Sequence, residues 1–144
     1  MRAFIFSILL GAVLISAGCT TDGSDARPPV TETDLRIVQR AGQILSSEAV
    51  WNRADDRIYH PEATTFSLYT AIEKATLELS GKFAHRGAAM QEARFAVEEV
   101  APHKDYDHRL MGYNNDPSTS FADIKHVLAL TEARIANRLK NEKP

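Results

Sequence analysis

The chain of 144 residues has a single cysteine, Cys19, and no excess of basic residues. One cysteine excludes an intramolecular disulfide, so the folded part must be stabilised by an apolar core. Its 17 lysines and arginines are outnumbered by 19 aspartates and glutamates, a balance that argues against nucleic acid as a partner. No segment alternates with period two over five residues, and the glycine motifs of phosphate, dinucleotide and serine-hydrolase sites are absent. The sequence therefore predicts neither a β-sheet nor a recognised catalytic signature.

Residues 1–18 have the features of a secretory signal peptide. Arg2 supplies positive charge, residues 3–17 form an uncharged and mostly apolar run, and small residues precede Cys19. The run is shorter than the roughly 20 residues that a membrane-spanning helix needs. Its ending, Ala-Gly-Cys, resembles the processing site of bacterial lipoproteins, which implies cleavage before Cys19 and lipidation of its thiol. An ordinary secretory signal that ends near a cysteine is the alternative.

Residues 19–30 are polar and contain proline and glycine, a composition that predicts a flexible tether ahead of a helical domain at residues 31–144. Several acyl chains hold a protein firmly on a bilayer, whereas one chain does so only marginally. The predicted partner is thus a membrane, contacted through an N-terminal lipid, and the predicted location is the bacterial cell envelope. Thr20, where an aspartate would favour retention in the inner membrane, favours the periplasmic face of the outer membrane.

Helical periodicity predicts an all-α domain that resembles a small four-helix bundle. The first helix is expected after Thr31 and the last after Ser120, each with an aspartate three residues later in the spacing of a capping box. Pro61 suits the first position of the second helix, and the third is expected over residues 87–100.

The stretch HKDYDHRLMGYNNDPSTSF, residues 103–121, is the most polar part of the domain and allows two interpretations. In the structural interpretation, Asn114, Asn115 and Asp116 bond through their side chains to nearby backbone amides. Tyr113 then packs under the bundle, and the stretch is a corner that leads the chain into its last helix. This interpretation requires no ligand.

In the alternative interpretation, the same stretch is the site of a metal-dependent or acid–base enzyme. Carboxylates and imidazoles are accepted ligands of zinc, manganese and iron. Their spacing here matches no defined metal motif, however, so neither a metal nor another cofactor is predicted, and an enzyme is disfavoured. The candidate catalytic residues are His103, Asp105, Asp107, His108 and Asp116.

A second alternative is a module that binds a small anion. Lys82, His85 and Arg86 lie just ahead of the third predicted helix, and a helix N-terminus with cations nearby attracts phosphate or carboxylate groups. A solvated basic loop accounts for the same three residues without a ligand.

Two stretches resemble a bacterial domain family of unknown function. They are FSLYTAIEKA, at residues 66–75, and YNNDPSTSFADIKHVLALTEARIA, which begins at Tyr113. The family pattern has an aromatic residue, an asparagine and an aspartate ahead of a final helix, and the resemblance implies a helical domain without a known activity. The sequence as a whole thus predicts an envelope lipoprotein that is a non-catalytic binding or interaction module for an envelope protein or a small ligand. The positions that match the family pattern are Tyr113, Asn115, Asp116, Ile124 and Leu128.

Overall fold

The computed structural model describes residues 27–142, and within that range the chain is folded into helices without any strand. The predicted all-α class is confirmed. A short 3₁₀ helix, Glu48–Val50, follows the first α-helix. The five α-helices are α1 (Glu32–Ile44), α2 (Leu68–Ser80), α3 (Ala88–Val100), α4 (Arg109–Asn115) and α5 (Phe121–Asn141).

The predicted signal peptide and Cys19 lie outside the described residues, as does most of the predicted tether. Its last residues, 27–30, lie against the helical domain. The Arg27 guanidinium stacks over the ring of Phe95 at 4.2 Å, and the backbone O of Pro28 accepts a hydrogen bond from Arg138 at 3.1 Å. None of the helices within residues 27–142 combines the length and the apolar character that crossing a bilayer requires.

Both predicted capping boxes are present. Thr31 Oγ1 accepts from the backbone N of Asp34 at 3.3 Å, and the Asp34 carboxylate accepts from the backbone N of Thr31 at 2.8 Å. Ser120 and Asp123 repeat this exchange at the start of α5. Each box provides acceptors for backbone N–H groups that the first turn of a helix leaves unpaired, which fixes where these two helices begin.

The prediction that the second helix begins at Pro61 is wrong. α2 begins at Leu68, after a capping box that starts with Ser67. Phe66, the residue before Ser67, exchanges backbone hydrogen bonds with residues 50 and 52 in an isolated parallel bridge. Because a helix cannot pass through a backbone that is extended and paired, residues 52–67 form a long loop instead.

Helices α1, α2, α3 and α5 enclose the apolar core. α1 packs against α2 and α5, and α3 packs against α5. Burial of each large side chain contributes about 1.5–3 kcal/mol, and in this domain without a disulfide that burial is the main source of stability. The largest fully buried apolar side chains are Leu45, Leu68, Ile72, Met90, Ile124 and Ile135.

The stretch that was predicted to be a corner contains a helix, α4. Leu110, Tyr113 and Asn114 are buried, and their spacing of three and four residues places them on one face of that helix. Gly112, also in α4, lies against the ring of Tyr106, so close that a Cβ at position 112 would be 2.6 Å from Tyr106 Cδ1. The corner is therefore a packed helical element, and it joins the loop of residues 52–67 to the end of α3.

Candidate functional site

Asn114 attaches the start of α2 to α4. Its side chain is fully buried, and its Oδ1 accepts from Trp51 Nε1 at 2.8 Å and from the backbone N of Leu68 at 3.0 Å. Its Nδ2 donates to the backbone O of Asn52 at 2.9 Å. These bonds hold both ends of the loop of residues 52–67, so the residue joins segments that are far apart in the chain.

Asn115 fixes the middle of the same loop. Its Oδ1 accepts from the backbone N of Asp55 at 2.8 Å, and its Nδ2 donates to the backbone O of Asp55 at 2.9 Å. Asp55 Oδ1 in turn accepts from the backbone N of Arg57 at 2.8 Å. Arg57 has a φ of 60°, in the left-handed region that non-glycine residues seldom occupy. Asn115 and Asp55 therefore hold Arg57 in an unfavourable backbone conformation. Such strained residues are often found at functional sites.

Asp116 is fully engaged in local hydrogen bonds. Its carboxylate accepts from the backbone N and Oγ of Ser118 at 2.9 and 2.6 Å, from Tyr106 Oη at 2.8 Å and from Lys104 Nζ at 3.1 Å. The bonds from Ser118, and then those from Tyr106 and Lys104, lower the pKa of Asp116. Burial and the bond to Asp116 raise the pKa of Tyr106 to about 12. This carboxylate stabilises the corner and does not line the cavity described next.

A cavity of about 340 Å³ lies beside the corner, where the start of α3, the first turn of α4 and Arg57 meet. This cavity brings together residues from two groups that were predicted as separate sites. His85 and Arg86 of the predicted anion group line it, and so do Asp105, Asp107 and His108 of the predicted catalytic group. The lining residues are Arg57, Tyr69, His85, Arg86, Gln91, Arg94, Asp105, Tyr106, Asp107, His108, Arg109, Leu110 and Met111.

Three of the predicted site residues do not take part in this cavity. Lys82 and Asp116 are not among its lining residues, and His103 lines a different hollow, beside Tyr113. Three of the five predicted catalytic residues thus line the cavity, and the other two, His103 and Asp116, do not. Among residues 27–142, no group of three histidine, cysteine, aspartate or glutamate side chains is arranged to hold a metal ion.

Positive charge dominates the lining. Four arginines and two aspartates leave a net charge of +2 while the histidines are neutral. Three of these arginines, Arg57, Arg94 and Arg109, are not among the candidate residues predicted from the sequence, because none of them belongs to a recognised motif. Arg57 comes from the long loop and Arg94 from the middle of α3, and only packing places them beside Arg86 and Arg109.

Arg94 is partly buried and bonds to uncharged acceptors. Its Nη1 donates to the backbone O of His85 at 3.0 Å and to Gln91 Oε1, and its Nη2 lies 3.3 Å from His85 Nε2. Burial, followed by the repulsion of Arg86, Arg109 and Arg57, lowers the pKa of Arg94 despite the nearby Tyr69. A guanidinium that is desolvated in this way, without a carboxylate among these acceptors, leaves a positive charge uncompensated.

The contact with Arg94 determines which nitrogen of His85 carries a proton. Because a guanidinium only donates, His85 Nε2 must accept, and the hydrogen of neutral His85 is on Nδ1. Nδ1 lies 3.0 Å from Tyr69 Oη, so Nδ1–H donates and the tyrosine oxygen accepts. The Tyr69 hydroxyl hydrogen is then available to donate to a molecule in the cavity. Burial, with Arg94 and Arg57 next, lowers the pKa of His85, in agreement with a neutral imidazole.

Comparison with known proteins gives a family match. The sequence profile of a family described only as being of unknown function, DUF6197, matches residues 29–134 of the chain. The match covers the helical domain from the residues just before α1 to the middle of α5 and includes every residue that lines the cavity. No curated protein and no solved structure matches the chain.

Proposed function

The chain belongs to DUF6197, a family of unknown function, and we propose from the geometry of its own cavity that it is a non-catalytic module that binds a small anion. The observation that carries this proposal is the partly buried guanidinium of Arg94, whose hydrogen-bond acceptors are uncharged atoms of His85 and Gln91. A bound anion would compensate this charge. Arg57 and Arg86, which also line the cavity, would add further guanidinium donors.

Arginine suits this role for chemical reasons. The guanidinium is planar and permanently charged, and it presents paired N–H donors that match the oxygens of carboxylate and phosphate groups. Charge-assisted hydrogen bonds of this kind are about twice as strong as neutral ones. The Tyr69 hydroxyl adds an uncharged donor, which is held in place by its contact with His85 at 3.0 Å.

The arrangement favours binding over acid–base catalysis. Both ring nitrogens of His85 are occupied, one by Arg94 and the other by Tyr69. An imidazole that is bonded on both sides, with its pKa lowered by burial, is not available to take a proton from a substrate. The metal-dependent enzyme lacks support, since His103 and Asp116 do not line this cavity.

A small ligand is also a better supported partner than an envelope protein. In the described part of the chain, the exposed large apolar side chains are Ile58 and Leu79. Two side chains fall short of the contiguous apolar patch of several hundred Å² that marks a protein interface.

Thermal denaturation with inorganic phosphate and with sulfate tests the anion-binding proposal. An anion at about 100 times its Kd should add about 2.7 kcal/mol to the free energy of unfolding. Arg94→Gln should lose at least about tenfold in affinity, because a charge-assisted bond of 1.5–3 kcal/mol is removed. Arg36→Gln is the matched control, since Arg36 is an exposed arginine of α1 that bonds to Thr33 and is outside the cavity. Equal protection of both variants, or no protection of the wild type, would refute the proposal.

We further propose that a lipid on Cys19 holds this module at the bacterial envelope, on the periplasmic face of the outer membrane. The support is the signal-like residues 1–18 and the Ala-Gly-Cys ending. Labelled palmitate should be incorporated into the wild type and not into Cys19→Ser, and only the wild type should sediment with outer membranes. A wild-type protein that stays in the aqueous fraction with an unmodified thiol would contradict the anchor and leave the anion site untouched.

A further inference from the structure

We infer, resting on the proposed function, that the ligand of the cavity is a soluble phosphate monoester whose organic part carries hydrogen-bond donors, either hydroxyl or ammonium groups. The inference identifies the class of anion. It follows from the size of the cavity, from the number of guanidinium groups around it, and from the two carboxylates in its wall.

The size of the cavity indicates an organic ligand. Its volume of about 340 Å³ lies within the range of about 300–1,000 Å³ that small-molecule sites occupy. An inorganic anion of five heavy atoms would fill only a small part of it. Leu110 and Met111 line the same cavity and provide apolar contacts for a carbon skeleton.

The basic groups favour a phosphate monoester over a carboxylate. Such a monoester carries a charge of about −1.5 to −2 at neutral pH and has three terminal oxygens, each of which accepts strong hydrogen bonds. Four arginines line the cavity, and one of them, Arg109, also pairs with Glu98 at 3.4 Å. A single carboxylate, with one charge and two oxygens, offers less charge and fewer acceptors to Arg57, Arg86 and Arg94 than a phosphate group does.

The two aspartates of the lining constrain the organic part of the ligand. Asp105 and Asp107 come from the segment between α3 and α4, whereas Arg57, Arg86 and Arg94 come from the long loop, from the residues just before α3 and from the middle of α3. A carboxylate only accepts hydrogen bonds, and it repels an anion. The part of the ligand near these aspartates must therefore donate, as hydroxyl and ammonium groups do.

Four probes separate these features. Titration calorimetry would compare inorganic phosphate, ethyl phosphate, glycerol phosphate and 2-aminoethyl phosphate on the wild-type protein. Glycerol phosphate and 2-aminoethyl phosphate should bind at least about tenfold more tightly than ethyl phosphate, the increment of one good charge-assisted bond. The Arg94→Gln variant should weaken all four probes, because the phosphate group is common to them.

Removal of the two carboxylates should abolish the preference for the esters that carry hydrogen-bond donors and should not weaken the binding of the phosphate group. In Asp105→Ala/Asp107→Ala, the advantage over ethyl phosphate should fall below about threefold, while inorganic phosphate binds as well as before or better. The matched control is Glu48→Ala/Glu62→Ala, which removes the same charge from two exposed residues outside the cavity. The control should keep the wild-type preference.

Vesicles that contain phosphatidic acid distinguish a lipid from a soluble ligand. Phosphatidic acid is a phosphate monoester whose glycerol hydroxyls are esterified, so it should not bind in a manner that depends on Arg94. Vesicle binding as tight as that of glycerol phosphate would overturn this inference. Tight binding of inorganic phosphate with no preference among the esters would also overturn it, yet would leave the anion-binding function intact, whereas no binding of any probe would refute both.

Discussion

At the scale of the residue, His85 shows how neighbouring groups determine the behaviour of one side chain. Burial and the charges of Arg94, Arg57, Arg86 and His108 lower its pKa from the ordinary value of 6.5. Arg94 and Tyr69 occupy the two ring nitrogens at 3.3 and 3.0 Å. The same contacts that orient the Tyr69 hydroxyl therefore also oppose protonation of the imidazole.

This lowered pKa predicts that stability depends on pH. The unfolded chain takes up a proton at His85 near pH 6.5, while the folded protein does so only at lower pH. The free energy of unfolding should thus decrease as the pH falls below about 6.5, towards the pKa of the folded state. In His85→Gln this part of the pH dependence should disappear. Urea unfolding of both proteins between about pH 7.5 and pH 5 measures it, and parallel curves for the two proteins would contradict the prediction.

Replacement of glycine by alanine should have opposite effects on stability at positions 112 and 42. In Gly112→Ala the new Cβ would lie 2.6 Å from Tyr106 Cδ1, so we expect a loss of about 1–3 kcal/mol from overpacking. In Gly42→Ala the nearest atom is Lys125 Nζ at 3.9 Å, and within α1 alanine should stabilise by about 0.4–1 kcal/mol. Thermal melts of the two variants give the sign of each effect, and equal melting temperatures would show that the close contact at Tyr106 is relieved without loss.

At the scale of the element, α4 holds the long loop in place. Asn114 holds the two ends of the loop, and Asn115 holds its middle through the backbone of Asp55. Asp55 is only 5% exposed, and its Oδ2 has no hydrogen-bond partner. Burial raises the pKa of this carboxyl group. This buried carboxyl group lowers the stability of the fold, but it holds the loop in the position that directs Arg57 to the cavity.

The two asparagines should differ in what their loss changes. Asn114→Ala leaves Trp51 Nε1 and the backbone N of Leu68 unpaired in the core, so the free energy of unfolding should fall by about 1–3 kcal/mol for each group. Asn115 is exposed, and its replacement by alanine should reduce stability less but should weaken phosphate binding several-fold by releasing Arg57. Unfolding and phosphate titrations of both variants test this, and unchanged affinity in Asn115→Ala would show that Arg57 does not need the loop to be held.

At the scale of the whole molecule, a buried ion-pair network joins α3, α5 and the N-terminal segment. The carboxylate of Glu92 has an exposure of 1% and pairs with Arg134 at 3.0 Å and with Arg138 at 2.7 Å. Arg138 also donates to the backbone O of Pro28 at 3.1 Å. The segment that would lead to a membrane anchor is thus bonded directly to the C-terminal part of α5, and the carboxylate of Glu92 links that part of α5 to α3.

Loss of this carboxylate should be strongly destabilising. Glu92→Ala removes the buried carboxylate that Arg134 and Arg138 share, and leaves Arg134 only Glu99 and Arg138 only Glu142, both on the surface. The expected loss is up to about 3–5 kcal/mol, the cost of breaking a buried ion pair. The double variant Glu92→Met/Arg138→Met should recover part of that loss, because apolar side chains replace both members of one pair while Arg134 keeps Glu99 at 2.8 Å. Chemical denaturation of the two variants provides the comparison. A double variant that is less stable than Glu92→Ala would show that the network stabilises the fold beyond the pairing of charges.

The sequence by itself determined the elements whose causes are local. The capping boxes at Thr31 and Ser120 act over three residues, and the apolar period of each helix repeats within a few turns, so class and most helix positions can be predicted. The start of α2 could not be predicted from Pro61, because Phe66 pairs with a backbone about 15 residues earlier in the chain.

Only the tertiary structure decided the site. Arg57, Arg86, Arg94 and Arg109 come from three segments of the chain, and only Arg86, which lies ahead of a predicted helix, bears a local mark that distinguishes it from a solvated charge. Their function arises from proximity, since a guanidinium becomes a strong anion ligand when packing desolvates it and places others beside it. A local pattern in the sequence can specify a helix because the forces that form a helix act between near neighbours. It cannot specify a cavity whose walls are joined only by the fold.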